Sequence, residues 1–208
     1  MKYFKLKFYI ILLTVSALNP VRGYAQFEDT GAGARAAGMG NAYIAEASGP
    51  ETIYYNPAGL ANSDTYQLSS SYSRLFWGLT DNSRLGKGYL GYMLPVNEKF
   101  SAGFAWQHFM LDSFYSEDTF YFSGAYRLSG KIDAGLNLKI LGKKYASTDF
   151  TRNSVDLNTG VKIAQTNPVF EDGYSKFAFT PDIGLLYHIN YAHRAGLTVK
   201  NLTGPDMA

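Results

Sequence analysis

Three observations predict an all-β fold, an antiparallel transmembrane β-barrel. Apolar and polar residues alternate in one segment after another from Thr65 onward, and a period of two places one set on each face of a sheet. The clear segments approach the ~9–11 residues that a tilted strand needs to cross a bilayer. Aromatic residues make up 16% of the chain, led by 17 Tyr and 14 Phe. That enrichment suits strands and, for Tyr, a boundary between water and lipid.

The alternation is plainest in three segments. Phe120, Phe122, Tyr126 and Leu128 alternate with Tyr121, Ser123, Ala125 and Arg127. Ile132, Ala134, Leu136, Leu138 and Ile140 alternate with Asp133, Gly135, Asn137 and Lys139. Val155, Leu157, Val161 and Ile163 alternate with Asp156, Asn158, Gly160 and Lys162. In a soluble sandwich the apolar set packs on a second sheet; in a membrane barrel it meets lipid and the other set lines the lumen. Ser123, Gly135, Asn137 and Gly160 are small and polar, as a wet or plugged lumen tolerates. About eight strands are expected, near 66–76, 87–94, 99–111, 119–128, 132–145, 154–164, 177–190 and 194–201. Short reversals at 95–98, 129–131 and 190–193 alternate with longer ones at 77–86, 112–118 and 146–153, as in outer-membrane barrels. The stretch 165–176 breaks this order. It is long where a short turn is expected, and Asn167-Pro168 and Asp172-Gly173 make it irregular.

The chain begins with a basic head (Lys2, Lys5, Lys7), an apolar run from Phe8 to Leu18 and the small pair Gly23 and Ala25. This is the layout of a secretory signal peptide over residues 1–25, and the run is short of the roughly 20 residues of a membrane helix. Removing Lys2, Lys5, Lys7 and Arg22 from 19 basic and 17 acidic residues leaves 15 and 17, a net charge near −2. The sequence pI of 8.6 therefore carries no implication of a nucleic-acid partner. With no cysteine, disulfides, thiolate zinc sites and a cysteine nucleophile are excluded.

Residues 26–64 differ from the rest. They are rich in Gly and Ala and lack strand-like alternation, which separates them from the strands of 65–208. A glycine-rich run invites a phosphate-binding reading, but no strand precedes it, no βαβ unit follows and no Gly-Lys-Ser/Thr occurs. Tyr54, Tyr55 and Leu60 indicate packing, not a flexible linker.

Two motifs stand out. Arg35-Ala36-Ala37-Gly38-Met39-Gly40-Asn41-Ala42 is followed, about fifteen residues on, by Asn56-Pro57-Ala58-Gly59-Leu60. Over residues 31–61 the chain resembles the N-terminal signature of FadL-like outer-membrane barrels. The looser segments 90–95, 182–187 and 196–202 are similar to strands of the PorV/PorQ branch. The resemblance implies a 14-stranded barrel with the N-terminal segment folded inside as a plug or hatch. It implies a place in the outer membrane and a role in transport of hydrophobic, fatty-acid-like solutes or, with secretion-system proteins, in type IX secretion. The motif residues Arg35, Gly38, Met39, Gly40, Asn56, Pro57, Ala58 and Gly59 then hold the plug. Small residues let backbones pack closely, Asn56 can bond the turn while Pro57 fixes its φ, and Arg35 needs a lumen carboxylate or carbonyl partner if buried.

Length conflicts with a closed barrel around a plug. An eight-stranded barrel is filled by its own side chains, and the last residues, Gly204 to Ala208, form no strand and lack a terminal aromatic. The expectation is a partial barrel: a curved, open sheet in which the strand near 194–201 does not pair with the strand near 66–76. An open edge in lipid leaves backbone groups unpaired at several kcal/mol each.

Chemistry is not expected. His108, His188 and His193 lack metal-site spacing with a carboxylate, there is no Gly-x-Ser-x-Gly elbow, and Asp112, Glu117 and Asp118 read as a solvated loop face. The chain is read as neither an enzyme nor a cofactor binder. A soluble secreted β-sandwich is the competing architecture.

Overall fold

The computed structural model describes residues 31–78, 84–147, 153–155, 159–166, 173–205 and 207. The proposed signal peptide lies outside them, as do residues 26–30. Seven strands form one antiparallel sheet in the order β1 (Gln67–Leu75), β2 (Leu85–Pro95), β3 (Phe100–Leu111), β4 (Tyr115–Ser129), β5 (Ile132–Tyr145), β8 (Ser175–His188) and β9 (Arg194–Val199). β6 (Asn153–Val155) and β7 (Lys162–Thr166) pair only with each other. The sheet is curled into a half-barrel. β1 and β9 are its edges and do not pair with each other, so the expected open sheet is what forms.

One expected strand is not there. The run 154–164 is not a strand of the sheet; β6 and β7 divide it, and Gly160 sits at φ +66° between them. A glycine in the left-handed region reverses the chain, and the alternating pattern continued across that reversal without announcing it. Gly160 is therefore exposed in a turn and does not line the sheet. Of the irregular stretch 165–176, residues 167–172 lie outside the described residues. The β6–β7 pair belongs to one long connection between β5 and β8. With it removed, short turns (β2–β3, β4–β5, β8–β9) fall at one end of the sheet, and the β1–β2, β3–β4 and β5–β8 connections at the other.

The short turns use their predicted chemistry. Asn97 Oδ1 accepts from the amides of Lys99 (3.0 Å) and Phe100 (2.9 Å). Asn190 Oδ1 does the same for Ala192 and His193, both at 2.9 Å. Such side-chain-to-backbone bonds mimic a turn and fix the register of the hairpin. At the other end the 112–118 loop is shorter than expected, because β4 already begins at Tyr115. Glu117 is consequently a buried strand residue, bonded by Tyr115 OH at 2.6 Å. Asp118 takes hydrogen bonds from Trp106 Nε1 and His108 Nδ1, both at 2.8 Å.

The two faces of the sheet differ sharply. Ladder pairing lines up outward residues in rows: Tyr92–Phe104–Phe122–Leu138–Pro181 and Leu90–Trp106–Phe120–Ile140–Phe179. Leu136 and Leu138 are 44% and 41% exposed. From the short-turn end up to the row of His108 and Asp118, the outward positions of β2, β3, β4, β5 and β8 carry no charge. Three outward glycines lie under aromatic rings of neighbouring strands: Gly86 under Tyr72, Gly124 under Phe100 and Gly142 under Phe177. Pro181 sits past the end of the β9 ladder, so its missing N–H breaks no strand pairing. Among the described residues no helix is long and apolar enough to cross a membrane.

The inward face is polar and occupied. Ser123, Asp133, Asn137, Lys139, Thr180 and Asp182 are buried there, beneath the segment that precedes β1.

Candidate functional site

The site is the bed of the sheet on which residues 31–62 lie. That segment forms α1 (Ala34–Gly38), α2 (Thr52–Tyr55) and a 3-10 helix over Pro57–Asn62. Both flanks of the sheet reach it. Tyr89 OH on β2 donates to Pro50 O at 2.7 Å, Ser69 Oγ on β1 donates to Glu51, and Gly196 on β9 lies against Ile44 and Ala45. The curl of the sheet thus follows the segment it holds.

Glycines make the contact possible. An added Cβ at Gly135 would coincide with the backbone of Pro57 and Ala58, and one at Gly184 with Asn56 Oδ1. At Gly103 it would approach Ile53 Cδ1 to 2.8 Å, and at Gly196 the carbonyl of Ile44 to 2.5 Å. One inward glycine on each of β3, β5, β8 and β9 therefore marks a diagonal track across the sheet. A strand glycine of this kind signals a second backbone lying close.

Asn56 is the central fastening. It is fully buried. Its Oδ1 accepts from Ala58 N at 3.1 Å, capping the 3-10 helix. Its Nδ2 donates to Ile44 O (2.9 Å) within the segment and to Leu185 O (3.0 Å) on β8. Pro57 opens the helix, where an amide would have no partner anyway. Gly59 is obligatory for space: a Cβ would strike Thr52 Oγ1 and the Ala47 carbonyl. Ala58, Leu60 and Ile53 are fully buried. The second motif is thus the part of the segment that is seated.

Sheet side chains complete the seat. Asn137 Nδ2 donates to Ile53 O (2.8 Å) and to Asp182 Oδ2 (3.2 Å), and its Oδ1 accepts from Ser123 Oγ (2.6 Å). Asp182 Oδ1 pairs with Lys139 Nζ at 2.7 Å and accepts from Asn201 N at 2.8 Å. Lys139 also donates to Asn201 Oδ1 at 2.6 Å. Both members of the ion pair are nearly inaccessible to water. A buried charge is tolerated only with such saturation.

The first motif behaves differently. Gly38, Met39, Gly40, Asn41 and Ala42 are exposed. Gly40 has φ +63°, which favours glycine; nothing in the structure explains Gly38. Arg35 was expected to pair with a lumen carboxylate or with backbone carbonyls. It is instead 64% exposed and pairs within its own segment, Nη2 to Glu46 Oε1 at 2.7 Å. Glu46 Oε2 in turn receives Arg194 Nη2 of β9 at 2.8 Å. Where the motif meets solvent, an arginine needs no deep partner. The start of the segment is tied by α2: Tyr54 OH and Tyr55 OH accept from the amides of Gly31 (3.3 Å) and Ala32 (2.9 Å), and Tyr55 donates to Asn41 Oδ1 at 2.8 Å.

Sequence reading missed Glu46, the Ser123–Asn137–Asp182–Lys139 network and a pairing of His188 Nε2 with Asp133 Oδ2 at 2.7 Å. The signal for the network was present, since polar residues at inward positions of apolar strands need partners. Among the described residues no cluster of three or more His, Asp or Glu could hold a metal ion. Comparison with protein families, with curated proteins and with solved structures finds no match to the chain.

Proposed function

We propose that this chain is an outer-membrane β-barrel protein of the PorV/FadL type, acting in transport across or secretion at the outer membrane. In this reading residues 31–62 are its plug. The observation that carries it is the inverted polarity of the sheet. Uncharged aromatic and aliphatic rows face outward with no second layer over them among the described residues, while buried polar side chains face inward onto the plug. In water an apolar patch of this extent is rare. In hydrocarbon it is the required surface, and Trp106, with the His108–Asp118 pair beside it, suits the level where lipid gives way to water. A soluble sandwich would need a second sheet on that face.

The unmatched edges of β1 and β9 must be paired in lipid, so the barrel is completed by further strands. The fixed plug, with its backbone against Gly135 and Gly196 and its side chains against Gly103 and Gly184, favours a secretion or surface-attachment role over free passage of a fatty-acid-like solute. The test is fractionation of cells expressing the chain from its own leader. The expected result is recovery in the outer membrane with heat-modifiable gel mobility. Recovery as a detergent-independent periplasmic protein would remove the proposal. Labelled fatty-acid uptake against co-purification of secretion components then separates the two roles.

A further inference from the structure

We infer that a cleft at the short-turn end of the sheet binds an organic anion bearing hydroxyl groups beside its charge, of the phosphorylated or carboxylated polyol class. The cleft has a volume of about 690 Å³ and is lined by Asn62, Arg127, Lys131, Asp133, His188 and Arg194 among others. That volume lies in the range of small-molecule sites. It is separate from the glycine track and uses none of the motif residues.

Two kinds of observation converge there. The first is unspent hydrogen bonding. Asn62 Nδ2 and Asp133 Oδ1 are both buried without a hydrogen-bond partner among the described residues. Buried polar atoms are nearly always satisfied, so an orphaned donor and an orphaned acceptor in one cleft ask for a ligand that offers both complements. The second is charge. Arg127, Lys131 and Arg194 line the cleft with the carboxylate Asp133; Arg194 is already paired with Glu46, so the uncommitted charge comes from Lys131 and, in part, Arg127. Arg127 commits Nη2 to Ala61 O at 2.6 Å, but its Nε stays 3.7 Å from Asp133 Oδ1. Lys131 is exposed in the β4–β5 turn, and its ammonium has no partner among the described residues.

Asp133 decides the class of ligand. A bare inorganic anion would satisfy the cations but be repelled by the Asp133 carboxylate, whose Oδ1 still lacks a donor. A hydroxyl of a polyol supplies that donor. The anionic group of the same molecule takes Lys131, Arg127 and the Asn62 amide. His188 holds the other Asp133 oxygen at 2.7 Å, which fixes the carboxylate in place.

The test is calorimetric titration of the full chain in detergent micelles with glycerol 3-phosphate, glycerol and sulfate at constant ionic strength. Saturable binding of glycerol 3-phosphate is expected, with sulfate weaker by about tenfold, the loss of one charge-assisted hydrogen bond, and no binding of glycerol. Lys131→Ala should weaken binding by a similar factor. Asn62→Ala should weaken it too while leaving the thermal midpoint of the free protein unchanged or raised, because deleting an unsatisfied buried donor costs the fold nothing. Four results would overturn the inference: no saturable binding to folded protein, equal affinity for sulfate, affinity unchanged in both variants, or a lowered midpoint in Asn62→Ala.

Discussion

Gly135 of β5 and Gly184 of β8 are direct cross-strand partners; the Pro57-Ala58 backbone lies against the first, and the Asn56 amide oxygen and Pro57 ring against the second. Neither glycine has a positive φ. Their role is space, not backbone freedom.

Substituting Gly135→Ala or Gly184→Ala should therefore unseat the segment. Overpacking of this kind costs about 1–3 kcal/mol; the obstacle is backbone at Gly135, and at Gly184 it is the Asn56 amide oxygen, held by its own hydrogen bond, with the Pro57 ring. Limited proteolysis should cut between residues 31 and 62 sooner, with the strands intact. Gly88, where an added Cβ meets nothing within 4 Å, supplies the control: Gly88→Ala should leave the cleavage rate unchanged.

Asn56→Asp is the sharper probe of the fastening. The shape is kept, but the donor to Ile44 O and Leu185 O is lost and a carboxylate faces two carbonyls. Each orphaned buried group costs about 1–3 kcal/mol, so the variant should lose several degrees of thermal midpoint. An unchanged midpoint would mean that the seat does not depend on this side chain.

Breaking the Lys139–Asp182 pair should be more damaging than breaking Arg35–Glu46. Removing one partner of a buried pair costs about 3–5 kcal/mol, whereas exposed pairs contribute about 0–1 kcal/mol. Denaturant unfolding of Asp182→Asn and Glu46→Gln in parallel should show this order. High salt should shift only the second contact, since buried charges are poorly screened.

Leu138→Arg discriminates the proposed membrane setting from an aqueous one. A charge at the middle of a lipid-facing band costs about 2–4 kcal/mol, so outer-membrane recovery should fall while Lys144→Arg has no effect. If the outward face met water, Leu138→Arg would instead raise solubility and leave folding unaltered.

Much of the sheet was legible because alternation is a local property. The edges of β1, β3 and β5 fall within one or two residues of the expected strands, and the turns at Asn97 and Asn190 announced themselves by residue type. The division of 154–164 was not legible, because apolar alternation says nothing about whether Gly160 continues a strand or ends it. The seating of Asn56 could be suspected from the motif. Its partner on β8 could not, since hydrogen bonds over such sequence distance leave no periodic trace. The exposure of Arg35 likewise depends on which side of the half-barrel stays open, a property of the assembled sheet.

The bond from Asn56 to Leu185 spans 129 positions. The earliest part of this region to be synthesised is therefore among the last to be locked, because its anchor point does not exist until β8 has joined β5. Until that moment the N-terminal segment is held by β1 to β5, through Ser69, Tyr89, Arg127 and Asn137, but lacks its Asn56 anchor. Delivery of β8 acts as the closing stitch of assembly, and any stall before residue 185 should leave a protein whose strands are formed and whose interior is still loose.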